Sequence, residues 1–202
     1  MRIPPLPAPA GPLTPEQMAA RVVGDRPAEV SAPITIGSYD PIWPRRFREH
    51  EVRIRGALGE RALAVEHVGS TAVPGLAAKD RVDVDLIVDD PADEGAYVPR
   101  LVGAGYTLRT REPHWYEHRA LWSASHDVNL HVFGPDCDEH LRHLIFRDWL
   151  RAHPEDRDRY ATCKLRAAAD HPMSMARYVH AKGDVVVDIL RRAGLGQPTP
   201  AV

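Results

Sequence analysis

The 202-residue chain balances 26 Lys and Arg against 28 Asp and Glu, for a net charge of -2 and an isoelectric point of about 6.6, which excludes a general nucleic-acid binder while leaving room for a local basic pocket. Its 44% hydrophobic and 27% charged residues exclude a disordered chain, and its two cysteines exclude a disulfide framework. No apolar run reaches the roughly 18 residues that span a bilayer, and the N-terminus lacks the apolar centre of an export signal, so a cytoplasmic protein without a membrane partner is expected.

Residues 1–33 hold eight of the nineteen prolines. They read as a proline-rich arm or linker, without fixed structure apart from a short helix near Glu16–Val22. Such an arm suits a domain tethered to a partner enzyme. The domain is expected over 34–195, with 196–202 as a frayed tail. Residues 34–36 (ITI) read as a short strand. Asp40-Pro41 then opens a helix whose stripe is Trp43, Phe47, Ile54 and Leu58. Residues 62–68 alternate like a strand, and a Gly-Ser turn leads to 82–88 (VDVDLIV), the clearest strand of all. A helix over 92–104 ends at Gly105. Three strands follow, at 106–111, 115–123 and 126–133, and the pattern is helical from Pro135 to about residue 193. Strands in the middle and helices at both ends give an α+β class with a mixed sheet.

Side chains alternate across a strand, so Val82, Val84 and Leu86 share one face and Asp83, Asp85 and Ile87 the other. Two carboxylates on one face, with Cα atoms about 6.6 Å apart, repel each other in a dry site. A hard cation such as Mg²⁺ or Mn²⁺ relieves that repulsion and can orient a nucleoside triphosphate. Upstream, with twelve residues between Ser70 and Asp83, Gly69 permits a sharp turn and close approach to a ligand. Ser70 and Thr71 add hydroxyls and backbone amides suited to phosphate. A solvated sheet face and an ordinary turn are the plainer alternatives.

A Gly-Ser turn followed at this distance by D-x-D on a strand resembles the nucleotidyltransferase (polymerase-beta-like) superfamily. The likeness to the GrpB family is closer. It runs through YDPIWPRRF (39–47), EHVGSTAVPGLAAK (66–79), VDVDLIV (82–88), EPHWYEHR (112–119), VNLHVF (128–133), HLIFRDWLRAHP (143–154) and AKGD (181–184). The chain also resembles the C-terminal extension of some bacterial dephospho-CoA kinases, although it has no GxxxxGK[ST] pattern and so no expected kinase activity. The resemblance implies a nucleotidyltransferase fold, with Asp83 and Asp85 as metal ligands and catalytic residues. Active members of the superfamily carry a third carboxylate on a neighbouring strand. Here Asn129 or His131 stands in its place, with Asp127 at the strand's mouth, and His131 could serve as ligand or general base.

His67 lies beside the turn, where it either orients the turn or touches phosphate, or is simply buried and hydrogen-bonded. Lys79, Lys164 and Lys182 can bind triphosphate oxygens if the later helices pack over the acidic face; otherwise they are surface residues. Trp115, Tyr116 and Trp122 can stack on a base or pack. Arg147 and Arg151 read as a solvated helix face. Two functions follow, beside the plainer alternative of a purely structural interaction domain. One is nucleotidyl transfer from a nucleoside triphosphate to an unidentified acceptor. The other is a non-catalytic module of the same fold that binds a nucleotide or CoA-like ligand.

Overall fold

The computed structural model describes residues 3–7, 14–24 and 32–196. At its centre is a five-stranded sheet in the order β1-β2-β5-β4-β3. The strands are β1 Ala64–Val68, β2 Val82–Ile87, β3 Tyr106–Glu112, β4 His118–Ser123 and β5 Val128–Phe133. β2 runs parallel to β5, and the other neighbours are antiparallel. Among the described residues the helices are α1 Pro15–Arg21, α2 Ile42–Leu58, α3 Glu94–Gly103, α4 Asp138–Ala152, α5 Pro154–Asp170, α6 Met175–Ala181 and α7 Gly183–Arg192. The α+β class and the mixed sheet read from the sequence are those adopted.

The sheet has one apolar and one polar face. Val82, Val84 and Leu86 of β2 point into a core with Trp43, Ile54 and Leu58 of α2 and Tyr97 and Leu101 of α3. Each such side chain contributes about 1.5–3 kcal/mol when fully buried. A slip of one residue would turn Asp83 and Asp85 into that core, so burial of the valines fixes the register that presents the carboxylates. The polar face is capped by the C-terminal helices. Leu150 of α4, Tyr160 of α5 and Ile189 of α7 pack on Val73 and Leu76 of the loop between β1 and β2.

Residues 34–36 do not form the expected strand. Ile34 and Ile36 instead bury against Ala167, Ala168 and Tyr178, and only Gly37 pairs, with Ala78. The strand expected from 115 starts at His118, because Tyr116 (φ 55) and Glu117 (φ 50) adopt left-handed backbone in the β3–β4 turn. The helical stretch after Pro135 is divided at His153, just before Pro154, as the disfavoured helical conformation before proline requires. Within the proline-rich arm, a Thr14–Gln17 capping box starts α1, Val22 bridges Thr110 of β3, and Arg21 pairs with Glu112. The Pro5 carbonyl accepts a hydrogen bond from Arg142 at 2.8 Å. The rest of the arm and the tail beyond 196 lie outside the described residues.

Candidate functional site

The turn and the carboxylate strand are built against each other. Gly69 leaves β1 with φ 69 and ψ -168, a conformation nearly reserved for glycine. A Cβ there would lie 2.6 Å from Asp83 Oδ2. Glycine is therefore what lets the loop cross over the carboxylate. Residues Ser70–Ala72 form a single 3₁₀ turn, too short to offer a helix dipole to a phosphate. α4 clamps this loop from above. Arg147 donates to Glu66 and to the His67 carbonyl, both at 2.9 Å, and Arg151 donates twice to the Ala72 carbonyl, at 3.0 and 2.8 Å.

Asp83 and Asp85 share a face, as read from the sequence, but not an environment. Asp85 has no exposed side-chain surface. His140 Nδ1 lies 2.9 Å from its Oδ2, and His143 Nδ1 lies 3.2 and 2.9 Å from its two oxygens. Burial opposes the Asp85 charge, but these histidines more than offset it and hold its pKa below the usual carboxylate range. In return, burial opposes a charged His143, yet Asp85 lifts its pKa to about 9. Asp85 with His143 is thus an ion pair whose carboxylate is buried and whose imidazole is 29% exposed. Asp83 remains the accessible carboxylate, its side chain 35% exposed. Burial works against its charge too, and His131, Lys79 and the Asn129 amide outweigh it, leaving its pKa lowered.

The parallel register sets Asn129 beside Asp83 and His131 beside Asp85. Asn129 Nδ2 donates to Asp83 Oδ1 at 3.2 Å and sits 2.9 Å from His131 Nε2. Asp127 lies apart from this group, held by Ser123, Ser125 and Arg46. The neighbouring strand thus sets an amide and an imidazole, not a carboxylate, beside Asp83 and Asp85. Among the described residues, no group of three or more His, Cys, Asp or Glu side chains is placed to hold a metal ion. A cation bridging Asp83 and Asp85 would compete for Asp85 with His143, which contacts both of its oxygens, while His140 holds Oδ2.

Three lysines from distant parts of the chain converge beside Asp83. Lys164 of α5 is 1% exposed. It donates to Ser70 Oγ at 2.9 Å and to the Ala77 carbonyl. Lys182, between α6 and α7, donates to the Tyr160 hydroxyl at 3.3 Å. Lys79 and Lys182 flank the Tyr178 ring at 5.2 and 5.3 Å. Burial lowers the Lys164 pKa to about 7, helped by the Lys182 and Lys79 charges. Burial likewise lowers Lys79 to about 8, with Asp83 opposing and Lys182 assisting. Burial also works against the Lys182 charge, but the Tyr160 and Tyr178 phenols hold its pKa above the usual lysine value. None of the three ammonium groups makes an ion pair with a carboxylate among the described residues.

His67 and Thr71 are not part of this cluster. His67 pairs across the strands with Val84 and so lies on the apolar face, stacked on Phe47 at 4.8 Å. Its Nε2 meets the Thr71 hydroxyl at 3.0 Å. Burial lowers the His67 pKa to about 4, so the ring is neutral and fixes the loop from behind.

The GrpB protein family profile matches residues 33–192. The chain belongs to the GrpB family. A UPF0157 protein of Halalkalibacterium halodurans is 48% identical over 182 residues, covering 90% of this chain and 93% of that protein. A crystal structure of the conserved protein GrpB from Enterococcus faecalis aligns with a TM-score of 0.70 at 30% identity, covering 79% of this chain and 96% of that one. The dephospho-CoA kinase of Mycobacterium tuberculosis is 35% identical over 190 residues, covering 80% of this chain but only 46% of the kinase. The GrpB domain thus corresponds to about half of that enzyme. No helix among the described residues is long and apolar enough to cross a membrane.

Sequence reading missed His140 and His143, which hydrogen-bond to Asp85, and the reach of Arg147 and Arg151 to the carbonyls after β1, although both arginines also pair with Asp148 on the helix face as expected. The spacing of His140 and His143 on one helical face was the available signal.

Proposed function

We propose that this GrpB domain binds the phosphates of a nucleotide or CoA-like ligand on the polar sheet face where α5–α7 pack over it, with Lys79, Lys164, Lys182 and Ser70 as its phosphate-contacting groups. One observation carries this reading: three lysines, one of them buried, are packed together with the single charge of Asp83 near them and, among the described residues, no carboxylate within ion-pair distance. Like charges held in low dielectric cost stability unless an anion accompanies them. A polyphosphate supplies that charge and accepts several charge-assisted hydrogen bonds. The likeness to part of a dephospho-CoA kinase favours a CoA-like or adenine-nucleotide ligand.

A second reading, nucleotidyl transfer, is favoured by Asp83 and His131 lying on the same sheet face, 3.7 Å apart. An acceptor hydroxyl would attack the α-phosphorus of a nucleoside triphosphate, its proton would pass to a base, and the phosphorus–oxygen bond to the leaving pyrophosphate would break. The contacts of Asp85 with two histidines, and an amide and an imidazole rather than a carboxylate on the neighbouring strand, favour binding without transfer.

Thermal-shift and calorimetric titration with ATP, CTP, GTP, UTP and CoA, with and without Mg²⁺ or Mn²⁺, tests both readings on wild type, Lys164→Met and Asp83→Ala. Binding lost in Lys164→Met supports the phosphate site. Binding retained in Asp83→Ala, with no pyrophosphate release from wild type, favours the accessory module. Metal-dependent binding lost in Asp83→Ala, with pyrophosphate release, favours transfer. If no member of the panel binds, the proposal fails.

A further inference from the structure

Trp122 of β4 lies on the polar face, opposite Asn129 of β5, which in turn lies opposite Asp83 of β2. Two arginines rest against its ring. The guanidinium carbons of Arg81 and Arg109 lie 4.6 and 5.6 Å from the ring centre. Arg81 immediately precedes β2, and among the described residues its side chain is held by a single hydrogen bond, from Nε to the His126 carbonyl at 2.9 Å. Arg109 sits in β3 where the pairing with β4 shifts between Leu108 and Thr110, so no residue of β4 lies opposite it. A bulge of this kind re-aims a side chain, and that of Arg109 reaches the indole.

What these two cations lack is an anion. The Arg109 side chain makes no hydrogen bond or ion pair among the described residues, and its Nε is buried without an acceptor. Arg81 likewise has no carboxylate within ion-pair distance among the described residues; Asp83 and Asp127 act on its charge only from farther away. Asp127 is itself taken by Ser123, Ser125 and Arg46. The indole attracts each guanidinium but leaves the repulsion between them unrelieved. Both side chains are half-buried and keep some surface open to solvent. Each presents planar N–H groups of the kind that bind a phosphate through two parallel bonds.

We infer that Arg81 and Arg109, set against Trp122, form a second anion subsite on the polar face, and that the ligand is a nucleotide carrying phosphate groups at two separate positions, one for the lysines and one for the arginines. The lysine half rests on the proposed function above; the arginine subsite does not. Trp122 is two strand spacings from Asp83, about 10 Å, and Asp83 acts on Arg81 as it does on Lys79, Lys164 and Lys182. Both groups of cations therefore lie within reach of one carboxylate and of one small ligand. A single phosphate would leave one group uncompensated. A nucleotide phosphorylated on both its 5′ and 3′ hydroxyls compensates both.

Calorimetric titration of the full-length protein with adenosine 3′,5′-bisphosphate, 5′-AMP and 3′-AMP tests this. Wild type should bind the bisphosphate about tenfold or more tighter than either monophosphate, the return expected of added charge-assisted hydrogen bonds. Arg109→Met and Arg81→Met keep an apolar stem against Trp122 and should each remove most of that preference. Arg109→Lys, which keeps the charge without the planar fork, should retain part of it. Equal affinity of wild type for bisphosphate and monophosphates, or a preference unaltered in both methionine variants, overturns the inference. The wild-type comparison needs no variant, so a variant that fails to fold leaves the test intact. Bisphosphate binding lost in Lys164→Met, with the preference intact in the arginine variants, would support the proposed function and overturn the inference. Tight binding kept in Lys164→Met but lost in the arginine variants would overturn the proposed function and leave the arginine subsite standing.

Discussion

Replacing Lys164 by methionine separates the cost of its charge from the contacts it makes. Lys164 is 1% exposed, and its pKa drops from 10.5 to about 7. The unfolded chain therefore binds more protons than the folded one between those values, so this residue makes stability rise with pH across that window. With each unit worth about 1.36 kcal/mol, the rise from neutral pH to about pH 9.5 is roughly 3 kcal/mol. His143 acts in the opposite sense. Its pKa is raised from 6.5 to about 9, so its contribution is complete below pH 6.5 and is lost as pH climbs through 9. The wild-type profile alone mixes the two effects; the difference between wild type and Lys164→Met isolates Lys164. Methionine has similar length without charge and leaves Ser70 and the Ala77 carbonyl unpaired, at a pH-independent cost of about 1–3 kcal/mol. In urea titrations, the midpoint of the variant should lose about 1–2 M relative to wild type between neutral pH and about pH 9.5. Parallel profiles would refute the reasoning. Saturating pyrophosphate should keep Lys164 charged and flatten the wild-type contribution, with no such change in the variant.

Gly69→Ala meets both a glycine-only backbone and the Asp83 carboxylate, so urea denaturation should show a loss of at least about 1–3 kcal/mol, with weaker nucleotide binding as Asp83 is pushed aside. Asp85→Asn leaves the His143 cation without its partner. A destabilisation of about 3–5 kcal/mol is expected at pH 6, and an NMR titration of His143 should show its pKa falling from about 9 toward 6.5. Arg151→Ala removes two donors from the Ala72 carbonyl. It should cost about 1 kcal/mol and speed amide exchange at Val73 and Leu76 without altering the sheet.

The parts of the site set by local periodicity were readable from the sequence. Alternation in VDVDLIV placed both aspartates on one face, and a glycine before Ser70 marked the turn that presses on Asp83. Features that depend on how strands pair were harder to read. His67 sits two residues before Gly69, yet antiparallel pairing of Val68 with Asp83 turns it to the opposite face. Lys79, Lys164 and Lys182 are spread over about half the chain; only the packing of α5–α7 on the loop brings them together, and the sequence carried this as one of two alternatives. Arg147 and Arg151 resemble solvated residues on a helical wheel. They keep surface pairs with Asp148 and also reach the loop after β1, because α4 lies across β1 and that loop's carbonyls need donors. Chemically identical residues thus part company through tertiary neighbours. Asp85 meets two histidines from α4, and Asp83 meets an amide, a histidine edge and a glycine.

The charge count of the site constrains how a metal could act there. Asp85 is balanced by His143, which leaves one carboxylate, Asp83, against Lys79, Lys182 and a partly protonated Lys164 at neutral pH. A divalent cation arriving alone would add positive charge to a site that already carries an excess, with only Asp83 free to bind it. A triphosphate reverses the balance by bringing several negative charges, so cation and nucleotide should enter together or not at all. Calorimetry should therefore show no heat of saturable binding for Mg²⁺ or Mn²⁺ alone. Any metal dependence should appear as a mutual increase in affinity when the nucleotide is present, equal in both directions. Tight binding of Mg²⁺ to the ligand-free protein would contradict this balance, and would mean that Asp85 leaves His140 and His143 to join Asp83.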